Sequence, residues 1–363
     1  MAVRWVVVIL VIVGLVIAVE RSVSSYHRLV ADIDASIARI DSRLDCQTGL
    51  EPETRRELVR RRADLRASRP DWRRVRVTWL WIAALAYAVS LLPPALVLRS
   101  MVAAMRHPLS VRTAVLAQTI GHLGKYVPGK AMVVVIRSGL LNRRGIPIRV
   151  GATAVFAETL LMIGVGAAIG GTIVAMLPVD RWIMIAAILG AIAAAVPTLP
   201  PIFRRVVARI AGTDNAISDR SFGYAVWIRC VVWSAVSWTW VGLAMTAVML
   251  AVPSSALTVP DFSSGMAMTK SLASVYPVAT AAITTAMVFG FVSLLPGGAG
   301  VRELVLIAII GTVTDPTHGL VCAIATRMVF LCVELVSAGF CRLLTGRPPI
   351  TIASPSDPDD ASD

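Results

Sequence analysis

Apolar residues run along this chain in unbroken blocks, at 6–19, 152–177 and 183–196 among others, without the alternation of a half-buried strand. Further blocks lie at 78–98, 113–136, 224–252, 266–295, 301–315 and 318–341. A helix needs about 20 predominantly apolar residues to cross a bilayer. The pattern therefore predicts an all-α, polytopic membrane bundle of about eight spans. Two blocks are not clean crossings. Block 113–136 is interrupted by Gly121-His122-Leu123-Gly124-Lys125-Tyr126-Val127-Pro128-Gly129-Lys130, and block 266–295 runs into Pro296-Gly297-Gly298-Ala299-Gly300 before a short apolar stretch. Both are expected to be Gly/Pro-broken or re-entrant segments.

Four regions follow. Residues 1–19 are expected to form an N-terminal membrane anchor helix, because the flank Val19-Glu20-Arg21-Ser22 lacks a small-x-small cleavage site. Residues 20–76 read as an extramembrane helical hairpin. Leu29, Ile33, Ile37, Ile40 and Leu44 recur at helical spacing, Gln47-Thr48-Gly49 and Pro52 break it, and a second helical stretch carries Leu58 and Leu65. The expected use of this hairpin is as a solvated spacer or as a surface for a second copy or a membrane-protein partner. Residues 77–345 form the transmembrane domain, and 346–363 an acidic tail of Pro, Ser and Asp that is expected to be disordered.

Two topologies compete before residue 137. The positive-inside rule places the ten arginines between Arg55 and Arg76 in the cytoplasm, which requires block 113–136 to cross completely. The polar interruption of that block favours a re-entrant hairpin, which puts the arginine-rich segment on the other side. Both solutions leave the basic loops 137–149 and 200–223 in the cytoplasm.

Composition narrows the function. The chain is 56% hydrophobic and 16% charged, against about 25% charged in a soluble domain, so an ordinary globular enzyme is excluded. The net charge of +13 comes from arginines at the ends of apolar blocks, with no aromatics interleaved for base stacking, so nucleic acid is not an expected partner. Five cysteines without C-x-x-C spacing and four histidines without H-E-x-x-H imply neither a disulfide framework nor a metal site. P-loop, G-x-G-x-x-G and G-x-S-x-G motifs are absent, so no cofactor, no catalytic residue and no enzymatic activity is expected.

The candidate chemistry lies at the two breaks. Pro128-Gly129 and Pro296-Gly297 occupy one half of the chain each, and broken segments in corresponding positions of two halves point to a transporter's binding site. Two of only three lysines, Lys125 and Lys130, flank Pro128, with Tyr126 between them. Gly298 and Gly300 precede Arg302 and Glu303 at the start of an apolar helix, where free N–H groups and the helix dipole suit an anion. Arg137, Glu158, Arg327 and Glu334 also fall in or beside apolar blocks. Ionisable groups there face a cavity or pair with one another, for example Arg302 or Arg327 with Glu158, Glu303 or Glu334.

These residues also resemble a known family. The run from Gly121 to Lys130 followed by Arg137 is similar to the first signature of the lysylphosphatidylglycerol synthase transmembrane region, or flippase-like, family. Leu295-Pro296-Gly297-Gly298-Ala299-Gly300-Val301-Arg302-Glu303, with Arg327 further on, is similar to its second. The resemblance covers about 78–345. It implies a multi-pass protein of the bacterial inner (cytoplasmic) membrane that moves a phospholipid or polyprenyl-linked lipid headgroup, standing alone without a soluble synthase domain. Expectations from other classes are a non-catalytic membrane scaffold using the 20–76 hairpin, or an integral membrane transferase with Glu158 or His122 as base.

Overall fold

The computed structural model describes residues 20, 24, 27–28, 30–46, 51–68, 74–126, 131–177, 181–211, 223–254, 256–257, 265–293, 298 and 300–345. The anchor at 1–19, the tail at 346–363, and Pro128, Gly129, Lys130, Pro296 and Gly297 lie outside the described residues. Among the described residues all regular structure is helical. That suits apolar blocks in lipid, where backbone N–H and C=O groups must be satisfied without water and a helix does so locally.

Helix α1 (30–46) and α2 (Pro52–Ser68) are joined by Asp41, which receives Arg62 at 2.9 Å and Arg66 at 3.6 Å. These pairs are partly exposed and contribute little. The first span is α3 (Val77–Ser90) continued by α4 (Leu92–Ala104), 28 residues in all. Pro93 and Pro94 fall in the first turn of α4, where proline is tolerated best.

The interrupted block is a hairpin of two half-helices. Ser110 accepts a hydrogen bond from the Thr113 N–H at 3.2 Å and starts α5 (Val111–His122); a 3₁₀ turn, Leu123–Tyr126, follows, and α6 (Ala131–Asn142) runs back. Each helix has 12 residues. At 1.5 Å per residue that is about 18 Å, roughly half of a hydrocarbon core of about 30 Å. Leu109 before α5 and Leu141 at the end of α6 are buried in one cluster with Ile146, so the hairpin enters and leaves at the same end of the bundle. The re-entrant alternative for block 113–136 is the observed one.

From that end α7 (Ile148–Val174) crosses and α8 (Arg181–Ala195) returns. The chain then bends by 62° into α9 (Pro200–Ala211), whose Phe203 and Val207 join the same cluster. Exposed arginines 106, 143, 144, 149, 205 and 209 lie at this end, while the arginine-rich α2 precedes α3 at the other. Helix α10 (Tyr224–Ala251) crosses to the opposite end, where Ala251 O accepts the Arg76 N–H at 3.0 Å just before α3.

The second broken segment approaches from that opposite end. Helix α11 (Gly265–Val292) is followed by α12 (Val301–Ile310) and by the final span, α13 (Pro316–Thr345). His318 in the first turn of α13 contacts Val252 O at 3.3 Å, and Gly319 lies against Ile307 and Ile310. The far end of α12 therefore sits with the ends of α10 and α3. Its 10 residues rise about 15 Å, which places its start near mid-membrane. Two half-depth breaks thus approach from opposite ends. Among the described residues five helices are long and apolar enough to cross, six if the bent α8–α9 pair counts as one, against the expected eight or so. The difference arises because blocks 113–136 and 301–315 are built of half-length helices.

Small residues let these helices approach closely, as expected where apolar burial gives no advantage over lipid. Gly166 faces the Trp238 ring, whose Nε1 donates to Met162 O at 3.0 Å, and Gly242 faces Thr280. Outward apolar side chains such as Trp81, Leu85, Trp182, Leu189, Ile228 and Phe340 are exposed and meet lipid. The hairpin geometry makes a direct prediction for single-cysteine variants on a cysteine-free background. Pro108→Cys and Arg144→Cys will react with an impermeant maleimide from the same side of the membrane, and Val313→Cys from the other; opposite-side labelling of the first two would restore a full crossing.

Candidate functional site

Glu334 lies in the middle of α13 with its side chain fully enclosed. Its carboxylate accepts hydrogen bonds from Tyr87 Oη on α3, from Lys125 Nζ, and from Tyr126 Oη at 2.9 Å; His122 Nε2 stands 3.9 Å away. Tyr87 is held for this role by stacking on Phe330, one helical turn before Glu334, with ring centroids 3.5 Å apart and planes 2° from parallel. An isolated carboxylate in such a place would cost several kcal/mol. Here the donors come from α3, from the tip of the first hairpin and from a lysine, so one acidic group ties that tip to two spans.

Two further pairs repeat the pattern. Arg137 on α6 donates to Glu158 on α7, both buried, and Arg327 on α13 donates to Glu303 on α12. The first joins a half-helix to a span, and the second joins the other half-helix to the last span. Pairing had been expected between arginines 302 or 327 and the three glutamates. Only Arg327 with Glu303 follows that pattern; Glu158 takes Arg137, and Glu334 takes Lys125.

Between the breaks lies a cavity of about 380 Å³. Tyr87, Gln118, His122, Lys125, Arg137, Glu158 and Arg302 give it a polar face, while Leu160, Met162, Ile163, Val241, Met287 and Val288 make most of the remainder apolar. Phe156 and Phe291 line it and are also exposed on the outside of the bundle. Arg302 lines the same cavity as Tyr87, His122 and Lys125. It has no carboxylate partner among the described residues, unlike Lys125, Arg137 and Arg327. Among the described residues the polar face therefore carries three cations against Glu158 in the wall and Glu334 behind it, an excess of one positive charge.

The arginine stems explain the glycines. The Arg302 side chain passes between Gly290 and Gly298, and a Cβ on either would overlap it. A Cβ on Gly298 would also lie 2.9 Å from the Gly290 Cα, so two backbones meet there. Gly298 and Gly300 have φ of +68° and +87°, a region that residues with a Cβ rarely adopt. Arg137 makes the same use of Gly121 in the first half. The anion site expected at the N-terminus of α12 is altered in one respect. The Gly300 N–H donates to Glu303 Oε2 at 2.7 Å, so this helix start is already capped by its own carboxylate. The available positive group is the guanidinium of Arg302.

Of the expected site residues, Lys125, Arg137, Glu158, Gly298 and Arg302 border the cavity. Tyr126 and Glu334 stand behind Lys125, while Glu303 and Arg327 pair on the α12–α13 side. Tyr87 and Gln118 were not among the expected residues. A tyrosine in an apolar block carries little signal, but Gln118, an amide within a 12-residue apolar helix, is visible in the pattern.

Fold and site together define a polytopic helical membrane protein in which the α5–α6 hairpin and the short helix α12 reach half-depth from opposite ends beside an embedded cavity that is positively biased among the described residues. Residues 58–337 match the family of the lysylphosphatidylglycerol synthase transmembrane region, and the chain belongs to that family. A comparison with curated proteins returned no match.

Removing the Glu334 carboxylate tests the tie at the hairpin tip. Glu334→Ala leaves Lys125 without its counter-charge and is expected to destabilise the protein by about 3–5 kcal/mol. Thermal unfolding of the detergent-solubilised protein reads this as a lowered midpoint. An unchanged midpoint would mean that Lys125 is solvated through the cavity instead.

Proposed function

We propose that the protein moves an anionic lipid headgroup across the bacterial cytoplasmic membrane, holding its phosphate at Arg302 midway through the bilayer. The observation that carries this is the guanidinium of Arg302, which among the described residues has no carboxylate partner, in a membrane-embedded cavity where Lys125, Arg137 and Glu158 are paired. An arginine fork suits a phosphodiester, since two N–H groups can contact two oxygens. Lys125 is anchored by Glu334 and adds a second positive group to the polar face.

The surroundings fit a lipid better than a soluble anion. The cavity is too small for a whole phospholipid and has largely apolar walls, so the headgroup occupies it while the chains stay in the bilayer. Phe156 and Phe291 mark the wall that faces lipid. Half-helix hairpins from the two ends give each face of the membrane its own element beside the site, the arrangement that alternating access uses. Loops 137–149 and 200–223 are read as cytoplasmic, which leaves the arginine-rich segment before α3 on the other side.

The test is headgroup accessibility of labelled phosphatidylglycerol in proteoliposomes. A charge-assisted hydrogen bond contributes about 1.5–3 kcal/mol, so Arg302→Ala is expected to slow movement about ten- to a hundred-fold. Arg302→Lys will recover part of the rate. Unchanged movement by a folded Arg302→Ala protein would overturn the assignment of the phosphate to this residue.

A further inference from the structure

We infer that His122 is a proton site of the cavity, loaded when the anionic headgroup binds and emptied when it leaves, so that the lipid and one proton cross as a neutral unit. The inference rests on the cavity being the headgroup site and names how movement through it is coupled. His122 ends α5 at the tip of the first hairpin and lines the cavity. Its side chain is 29% exposed, whereas that of Glu334 beside it is fully enclosed. The imidazole can therefore exchange a proton with water or a ligand in the cavity, and the carboxylate cannot do so directly. Its Nε2 lies 3.9 Å from Glu334 Oε1, close enough to feel the charge and too far for a hydrogen bond. On the polar face His122 is also the group whose ordinary titration falls near neutral pH.

The charges around His122 set the order of events. From α13 it faces Glu334, which already pairs with Lys125 of the 3₁₀ turn and accepts from the hydroxyls of Tyr87 on α3 and Tyr126 in the turn. The same cavity is lined by Arg137 of α6, paired with Glu158 of α7, and by Arg302 of α12. Among the described residues the empty cavity thus sets three cations against two carboxylates. A proton on His122 would raise the excess from one to two in a medium that screens poorly. A bound phosphodiester cancels the excess, and an imidazolium then meets a phosphate and the Glu334 carboxylate. Headgroup and proton together return the site to the net charge it has when empty, so the moving unit takes no charge through the interior. The proton is drawn from water on the side where the headgroup enters and returned to water on the side where it leaves. The imidazole N–H is the one bond made and broken.

The experiment uses the full chain in proteoliposomes of zwitterionic lipid, with labelled phosphatidylglycerol added to the outer leaflet, a pH dye inside, and protein-free liposomes as background. Inward movement by the wild type is expected to acidify the lumen by one proton for each lipid, and an imposed potassium diffusion potential will leave its rate unchanged. On the alkaline side the rate will fall towards the one-proton limit of about ten-fold per pH unit. His122→Gln removes the titrating group and keeps a polar side chain. It is expected to move phosphatidylglycerol at a lower, pH-independent rate, without acidifying the lumen, and with a rate that now follows the potential. The wild-type measurements decide by themselves if that variant does not fold. Lipid movement by the wild type without acidification, or acidification that survives His122→Gln, overturns the role of His122 and leaves the headgroup site standing. A wild-type rate that follows the potential overturns the neutral unit. Acidification that continues in Arg302→Ala while the lipid is held back is a proton leak and overturns the coupling. Failure of phosphatidylglycerol to move at all overturns the headgroup reading itself and this inference with it.

Discussion

A carboxylate in the interior of a membrane protein has to be neutralised by groups around it, and Glu334 is the point where this constraint organises the molecule. Its partners come from Tyr87 on α3 and from Lys125 and Tyr126 in the 3₁₀ turn at the tip of the first hairpin. A half-helix that stops at mid-membrane leaves backbone groups that only protein or a wet cavity can satisfy. Binding the tip to α13 through a charged network keeps those groups inside the bundle and away from lipid. The Arg137–Glu158 and Arg327–Glu303 pairs do the same for the limbs α6 and α12.

The second constraint is space. Each break sits beside an arginine whose stem needs a neighbouring backbone without a side chain, Gly121 under Arg137 and Gly290 with Gly298 around Arg302. The glycines let a long cationic side chain lie flat at a helix crossing, so its head reaches the cavity while its stem is packed. The two halves use one device with different outcomes. Arg137 meets a carboxylate, whereas Arg302 meets none among the described residues, and the cavity acquires its charge from that asymmetry.

On the proposed reading, a site of this kind holds an anion without closing around it. Lys125 and Arg137 are placed by their carboxylate partners, and Arg302 by packing of its stem against Gly290 and Gly298. Apolar walls that continue to the outer surface at Phe156 and Phe291 leave the rest of a lipid in the bilayer.

Much of this was legible in the chain. Unbroken apolar blocks determine a helical membrane protein, because no other regular structure of this composition satisfies its backbone in lipid. Gly/Pro interruptions located both breaks, and lysines and arginines beside them marked the candidate site. Depth and partnership were not legible. Whether block 113–136 crossed depended on Leu109 and Leu141 meeting in one cluster, a tertiary contact with no local signature. Which acid took which base was equally open, since Lys125 and Glu334 are 209 positions apart and any of several helix arrangements would pair them differently. Only the packed bundle decided that Glu334 serves the first hairpin, that Glu303 caps its own helix, and that Arg302 lines the cavity without a carboxylate partner among the described residues. Pairing in a low-dielectric interior is set by distance and orientation, and those exist only once the helices have packed.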